Sequence, residues 1–190
     1  MKGFFASTFH EIPVLYLVED PVSIPDQIKE VGDLKILYKD GRRIGVNFFG
    51  FPTEENGFIP LPNKDLLAKV NALLREAGEE TVDVSSSGYR IAKVLHIDEH
   101  PLDEKKSIVK MSVGEKEVIT STRYKVEVGQ KVVVITDRTF RFDGTYFTAS
   151  VIRNIPQDVE ICSPKDVGKG DVSTSPVSVE GEVGTDYFLA

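Results

Sequence analysis

The chain has 190 residues, 41% of them hydrophobic and 28% charged, which is enough apolar sequence for one or two folded domains. This composition excludes collagen-like and low-complexity proteins, and the single cysteine, Cys162, excludes an intramolecular disulfide framework. The formal net charge of −7 excludes a uniformly basic nucleic-acid binder.

No run of about 18 apolar residues occurs, so we predict no membrane span and no membrane partner. The N-terminal stretch Met1–Thr8 holds one lysine and a short apolar patch, which is too short for a secretory signal. We therefore expect a protein of the reducing cytoplasm.

Charge is unevenly distributed along the chain. Residues 1–88 carry 9 Lys+Arg against 14 Asp+Glu, residues 89–170 carry 14 against 12, and residues 171–190 carry 0 against 4. A Ser/Gly stretch at 85–88 separates the first two segments and predicts a linker. We expect an N-terminal module over 1–84, a second domain over 89–168, and a C-terminal segment over 169–190 that packs back on the protein.

In the first segment, Pro13–Glu19 has the composition of a strand. Alternating apolar residues on both sides of Asp40-Gly41 predict a hairpin, because both turn residues must take positive φ. Helical spacing of the leucines between Pro62 and Gly78 predicts an amphipathic helix that uses its apolar face for the core. This segment is predicted to be an α+β module.

The second segment is rich in short strands with glycine-marked turns. Five strands within about 75 residues indicate an all-β barrel, and the OB-fold is the five-stranded candidate. The predicted strands are Tyr89–Asp98, Ser107–Val113, Glu117–Thr122, Lys131–Thr136 and Thr148–Ile155.

The sequence shows no catalytic constellation. His10, His96 and His100 lie outside any zinc-ligand spacing, and neither a glycine-rich phosphate loop nor a nucleophile elbow is present. A lone cysteine at the end of an apolar strand is typical of a small buried hydrophobe, which is the role we predict for Cys162. We predict no catalytic residue, metal site, cofactor or enzymatic activity.

Basic and aromatic residues alternate in two places of the second segment. Phe140 and Phe142 alternate in the way of one core-facing strand side, and we assign them to the core. Arg123, Tyr124 and Lys125 lie in a connection between predicted strands, where exposure is expected. Aromatic rings within a basic groove are how OB-folds stack and hold nucleic acid.

Three segments resemble the tRNA-binding domain found in EMAP-type proteins and at the start of the bacterial phenylalanyl-tRNA synthetase β subunit. Tyr89–Pro101 is similar to that domain's first strand and its His-Pro turn, and Lys110–Glu115 and Val128–Val134 match two later segments. Where the family has Asn-Ala-Asp-Lys-Leu, this chain keeps only Lys105 and a serine, Ser107.

The resemblance extends to the free-standing YtpR-type tRNA-binding proteins through Val31–Asn47, the helix up to Gly78, and Val183–Asp186. The chain is therefore identified as a divergent member of that type. The resemblance implies a non-catalytic OB-fold that recognises tRNA as a structure. EMAP-type relatives often dimerise through the barrel, which makes a homodimer a further expectation.

Two family motifs have changed in this chain. None of the family's Cys-Gly-Ala-Pro-Asn residues survives at 121–125, and the signature aligned with 152–163 keeps Arg153, Cys162 and Ser163. Its Ser-x-Gly-Met core is replaced by residues that include Asp158 and Glu160, which we expect to repel RNA phosphate.

Two functions remain open from the sequence. In the first, tRNA or another structured RNA binds the barrel with weakened affinity. In the second, the barrel has lost RNA binding and serves as a protein-interaction or assembly module. The candidate RNA-binding residues are Lys93, Lys105, Lys106, Arg123, Tyr124, Lys125, Arg153 and Ser163.

Overall fold

The computed structural model of the protein describes residues 3–52, 56–83 and 86–189. The chain divides into two compact units, Lys2–Val84 and Ser85–Ala190. Met1 and Lys2 of the N-terminal stretch lie outside the described residues, and so does Ser85 of the predicted linker. Within the described ranges the secondary structure is mostly β, with a single α-helix.

The first unit contains a six-stranded antiparallel sheet in the order β3-β4-β5-β2-β1-β6, together with helix α1. The elements are β1 (Gly3–Phe9), β2 (Ile12–Val18), β3 (Gln27–Val31), β4 (Leu34–Lys39), β5 (Arg42–Phe49), β6 (Gly57–Ile59) and α1 (Lys64–Glu76). One sheet face and the helix enclose a core that includes Phe4, Leu17, Phe48, Val70 and Leu74.

The predicted hairpin and helix of this unit are both confirmed. Asp40 and Gly41 have φ of 51° and 74°, as the two-residue turn between β4 and β5 requires. Asn63 Oδ1 accepts a hydrogen bond from Leu66 N at 2.8 Å and caps α1, while Gly78, at φ 74°, follows its last turn.

The second unit is built on a five-stranded antiparallel sheet in the order β15-β10-β7-β8-β9. Its strands are β7 (Tyr89–Glu99), β8 (Ser107–Val113), β9 (Lys116–Thr122), β10 (Lys131–Thr136) and β15 (Val159–Ile161). Asp158 N donates to Ile119 O at 2.9 Å, and Ile119 N donates to Asp158 Oδ2 at 2.8 Å. These bonds join β9 to the residue before β15, so the sheet is a nearly closed barrel of the OB-like kind.

The predicted single strand Thr148–Ile155 is wrong. The chain between β10 and β15 forms two short hairpins, β11 (Thr139–Phe140) with β12 (Tyr146–Phe147) and β13 (Ser150–Ile152) with β14 (Ile155–Gln157). Arg153 and Asn154 turn the chain at φ of 51° and 64°. The turn contains no glycine, and its positive φ values are possible because asparagine tolerates the left-handed conformation. The alternating apolar residues on either side therefore predict one continuous strand.

The C-terminal residues run along the outside of the barrel. After a 3₁₀ turn at Lys165–Val167, Val133 N donates to Val177 O at 3.1 Å and Gly184 N donates to Ile91 O at 2.8 Å. A second core lies under this segment and includes Tyr89, Ile135, Phe147, Cys162 and Val177. No helix in the described part of the chain is long and apolar enough to cross a membrane.

Candidate nucleic-acid interface

A groove of about 830 Å³ opens at one end of the barrel, between the loop that joins β7 to β8 and the loop that joins β9 to β10. The two loops supply most of its walls, and the end of β7 contributes Ile97 to its floor. The lining residues are Ile97, Glu104, Lys105, Lys106, Ser107, Thr122, Arg123, Tyr124, Lys125, Val126, Glu127 and Gln130.

The first wall is a tight turn fixed by its own polar groups. Leu102 N donates to His100 Nδ1 at 3.2 Å, and Lys106 N donates to Asp103 O at 2.9 Å. Lys105 N donates to Asp103 Oδ1 at 3.1 Å, and this bond, with the charge of Arg123, holds the pKa of Asp103 below its usual range despite an opposing effect of burial. The loop therefore presents Lys105 and Lys106 from an ordered backbone.

The second wall is attached to β7. Gly129 N donates to Val94 O and Val94 N donates to Gln130 O, both at 2.9 Å. At the other end of the loop, Tyr124 N donates to Thr122 Oγ1 at 3.1 Å. Arg123 and Lys125 are exposed between these two anchored ends.

The charges of the groove favour an anion. Four cationic side chains line it against the two carboxylates of Glu104 and Glu127. Among the residues that the structure describes, no carboxylate lies within 4 Å of the ammonium groups of Lys105, Lys106 or Lys125. Arg123 is 68% exposed and lies 3.7 Å from Asp103.

The floor of the groove is apolar. Ile97, Tyr124 and Val126 are partly buried and pack against the barrel core. Burial also raises the pKa of the Tyr124 hydroxyl. The groove thus offers one aromatic edge and two aliphatic side chains beneath a cationic rim.

Five of the eight candidate residues from the sequence line this one groove: Lys105, Lys106, Arg123, Tyr124 and Lys125. Three do not. Lys93 is exposed on β7, opposite Lys131 and Ser112, and Arg153 is exposed in the turn between β13 and β14.

Ser163 is the third candidate outside the groove. Its side chain is completely buried, and its N and Oγ donate to Asp166 Oδ2 at 2.7 and 2.6 Å. A buried hydroxyl whose proton is already donated has no route to RNA, so this placement assigns Ser163 to the structure of the loop after β15.

The two carboxylates expected to repel RNA both have partners in the second unit. Asp158 bonds to the backbone of Ile119 at the barrel seam. Glu160 accepts two hydrogen bonds from the Arg141 guanidinium, each at 2.9 Å. Arg141 offsets the charge of Glu160, and Asp158 keeps its charge but, like Glu160, does not line the groove. Neither carboxylate is therefore placed to repel an anion in the groove.

The cysteine and the remaining residues singled out in the sequence for possible chemistry lie outside the groove. Cys162 and Phe140 are buried, as predicted, and burial raises the pKa of the Cys162 thiol well above its usual value. His96 Nε2 lies 3.0 Å from Asp98 Oδ1 on the barrel surface. In the described ranges, no group of three or more His, Cys, Asp or Glu side chains is arranged to hold a metal ion.

No protein-family model matches the chain. Over 121 residues it is 31% identical to the "Putative tRNA-binding protein YtpR" of Bacillus subtilis (strain 168), covering 62% of this chain and 60% of that protein. Over 98 residues it is 29% identical to the phenylalanine–tRNA ligase beta subunit of Sulfurimonas denitrificans (strain ATCC 33889 / DSM 1251), covering 48% of this chain and 12% of that protein. The similarity to YtpR-type tRNA-binding proteins found in the sequence is thereby confirmed.

Proposed function

We propose that this chain is a cytoplasmic, non-catalytic tRNA-binding module whose binding surface is the groove between the β7–β8 and β9–β10 loops. The observation that carries the proposal is the gathering of Lys105, Lys106, Arg123 and Lys125 around one opening. These residues are separated by up to twenty positions in sequence, and two independent loops bring them together. The names of the two similar proteins, a tRNA-binding protein and a tRNA ligase subunit, support tRNA as the ligand.

The chemistry of the groove suits single nucleotides of a folded RNA. Phosphates are held by cationic side chains with release of counterions, and unpaired bases stack on aromatic or guanidinium planes. Lys105, Lys106 and Lys125 supply unpaired charge, while Arg123 and Tyr124 supply the two planar groups. Local clustering explains how a chain of net charge −7 provides a phosphate site: the cations occupy one groove of the only segment with a positive balance.

We also propose the following domain boundaries. Residues 1–84 form an α+β module and residues 89–168 form an OB-fold that carries the groove. Residues 169–190 form a segment that packs back on the barrel. A homodimer through the barrel stays a prediction. Sedimentation of the purified protein, which measures its oligomeric state, tests it.

The test is equilibrium binding of total bacterial tRNA by filter retention over a series of salt concentrations. The double variant Lys105→Gln/Lys125→Gln removes two unpaired cations from the groove. Each lost phosphate contact lowers the slope of log affinity against log salt by about 0.7 to 0.9, so we expect the slope to flatten by about 1 to 2.

The matched control is Lys116→Gln/Lys165→Gln, which removes two exposed lysines of the same unit that lie outside the groove. We expect its slope to stay within about 0.5 of the wild-type slope. If wild type fails to retain tRNA even at low salt, RNA binding is wrong, and the protein-interaction or assembly module takes its place.

A further inference from the structure

One side chain contacts both walls of the groove. Asp103 belongs to the β7–β8 loop, where its Oδ1 accepts a hydrogen bond from Lys105 N at 3.1 Å. Its Oδ2 lies 3.7 Å from Arg123 Nη2, on the β9–β10 loop. The Asp103 side chain is 27% exposed, against 68% for the arginine side chain, so it is the more buried member of the pair.

The hydrogen bond to Lys105 N fixes the position of the two lysines. A carboxylate that accepts from the backbone N–H two residues later forms an Asx turn, and the same residue's carbonyl accepts from Lys106 N at 2.9 Å. Asp103 therefore closes the turn from which both Lys105 and Lys106 extend. Without its side-chain oxygen the turn keeps one of these two bonds.

The ion pair with Arg123 has the opposite effect on an anionic ligand. An exposed pair at this distance is weak, so a phosphate that binds Arg123 has only a weak attraction to overcome when it displaces the carboxylate. While the pair persists, one of the four groove cations is already neutralised. Glu104 lines the same groove, but in the described part of the chain no cation lies within 4 Å of its carboxylate.

We propose that Asp103 is a positioning residue that sets the strength of RNA binding in the groove: it holds the lysine turn in place and occupies Arg123 until a phosphate displaces it. This inference rests on the proposed function. It assigns two separable roles to one carboxylate, since an amide retains the hydrogen-bond acceptor and loses the charge.

Three variants separate the roles in the tRNA retention assay. Asp103→Asn keeps an acceptor for Lys105 N and releases Arg123, so we expect binding about two- to fivefold tighter. In wild type the displaced carboxylate takes up a counterion and offsets part of the counterion release, so the salt slope of Asp103→Asn should be steeper by at most about 0.7 to 0.9. Asp103→Ala also loses the side-chain hydrogen bond to Lys105 N, and we expect it to bind more weakly than Asp103→Asn. Glu104→Gln removes a charge from the same loop without releasing a cation, so its salt slope stays at the wild-type value.

A second background shows whether the charge acts through Arg123. In Arg123→Gln, the Asp103→Asn change is expected to leave the affinity and the salt slope unaltered. An equal effect of Asp103→Asn with and without Arg123, or an equal slope change in Glu104→Gln, overturns the role assigned to the ion pair.

The turn-holding role has a readout that needs no RNA. Amide hydrogen exchange at Lys105 is expected to be about three- to tenfold faster in Asp103→Ala than in Asp103→Asn, because only the latter keeps the capping oxygen. Equal exchange in the two variants overturns this role. If neither wild type nor Asp103→Asn retains tRNA, the proposed function and this inference are both wrong. If the Lys105/Lys125 variant loses tRNA binding but the Asp103 variants bind tRNA as wild type does, the inference alone is wrong.

Discussion

Asp186 accepts hydrogen bonds from Ser87 N at 2.7 Å and from Ser87 Oγ at 2.6 Å, 99 positions earlier in the chain. The same carboxylate accepts from Phe188 N at 3.1 Å and lies 3.7 Å from Arg90 Nη1. It is 8% exposed and Ser87 is 2% exposed. The buried Asp186 carboxylate, both of whose oxygens accept hydrogen bonds, thus joins the C-terminal segment to the residues just before β7.

Replacing Asp186 is expected to destabilise the second unit. Both Asp186→Ala and Asp186→Asn should lower its free energy of unfolding by about 2–4 kcal/mol, because buried donors lose their acceptor or face an amide N–H. Urea unfolding followed by tyrosine fluorescence measures the change, since the chain has no tryptophan. The control Asp171→Asn alters an exposed carboxylate and should change little; equal losses in the two aspartate positions would contradict the assignment.

Gly184 tests how closely the C-terminal segment packs on the barrel. A Cβ at Gly184 would lie 2.7 Å from Gly114 Cα and 2.9 Å from Gly114 N, at φ +92°. Gly170 has a similar φ of +96°, and a Cβ there would meet nothing within 4 Å. Both alanine variants pay the cost of a positive φ, about 1 kcal/mol, and only Gly184→Ala adds a backbone clash. Thermal unfolding should rank Gly184→Ala clearly below Gly170→Ala.

Stability of the first unit should depend on pH through Glu79. Burial alone would raise the pKa of Glu79, but hydrogen bonds from Lys29 Nζ at 2.8 Å and Tyr38 Oη at 2.6 Å, with the charges of Lys29 and Arg43, lower it. A carboxyl whose pKa is lowered on folding contributes stability above its unfolded pKa and loses it as the pH falls.

Glu79→Gln should therefore be less stable than wild type at pH 7. The two unfolding free energies should converge as the pH falls below 4.5, the ordinary pKa of the side chain. Burial, with the Glu79 hydrogen bond and charge, also raises the pKa of Tyr38 to about 12, so the variant should titrate one tyrosine at lower pH. A difference in unfolding free energy between wild type and Glu79→Gln that stays constant from pH 7 to below 4.5 would contradict a role for the Glu79 charge.

The ring of Tyr124 can be tested apart from its hydroxyl. Tyr124→Phe keeps the aromatic face, and Tyr124→Leu keeps apolar contact with the barrel core while removing that face. If a base stacks on the ring, tRNA binding should weaken by about 1–3 kcal/mol in Tyr124→Leu, stay near wild type in Tyr124→Phe, and keep its salt slope in both. An equal loss in both variants would assign the effect to the hydroxyl instead.

Much of the fold was readable from local patterns. The Asp40-Gly41 turn, the cap at Asn63 and the strand Lys131–Thr136 depend on a few adjacent residues, and the sequence predicts each of them where the structure has it. The turn at Arg153-Asn154 was missed because its positive φ values are carried by residues with no glycine signal.

The candidate site was only partly readable. Arg123, Tyr124 and Lys125 are candidates from the sequence because a connection between strands is expected to be exposed, and Lys105 is a candidate because it matches the family motif. Burial of Ser163 and the seam bonds of Asp158 depend on contacts between distant segments, which one sequence does not show. The ion pair of Asp103 with Arg123 also joins two loops that are distant in sequence, so one sequence does not show it.

RNA binding in the groove is tested by titrating isotope-labelled protein with tRNA and following the backbone amide resonances of the protein. Binding in the groove predicts that the largest changes fall in residues 97–107 and 122–130 and fade as salt is raised. Helix α1 and the β13–β14 hairpin should change little. Changes concentrated in those two elements, or none at any salt concentration, would contradict a groove that binds RNA.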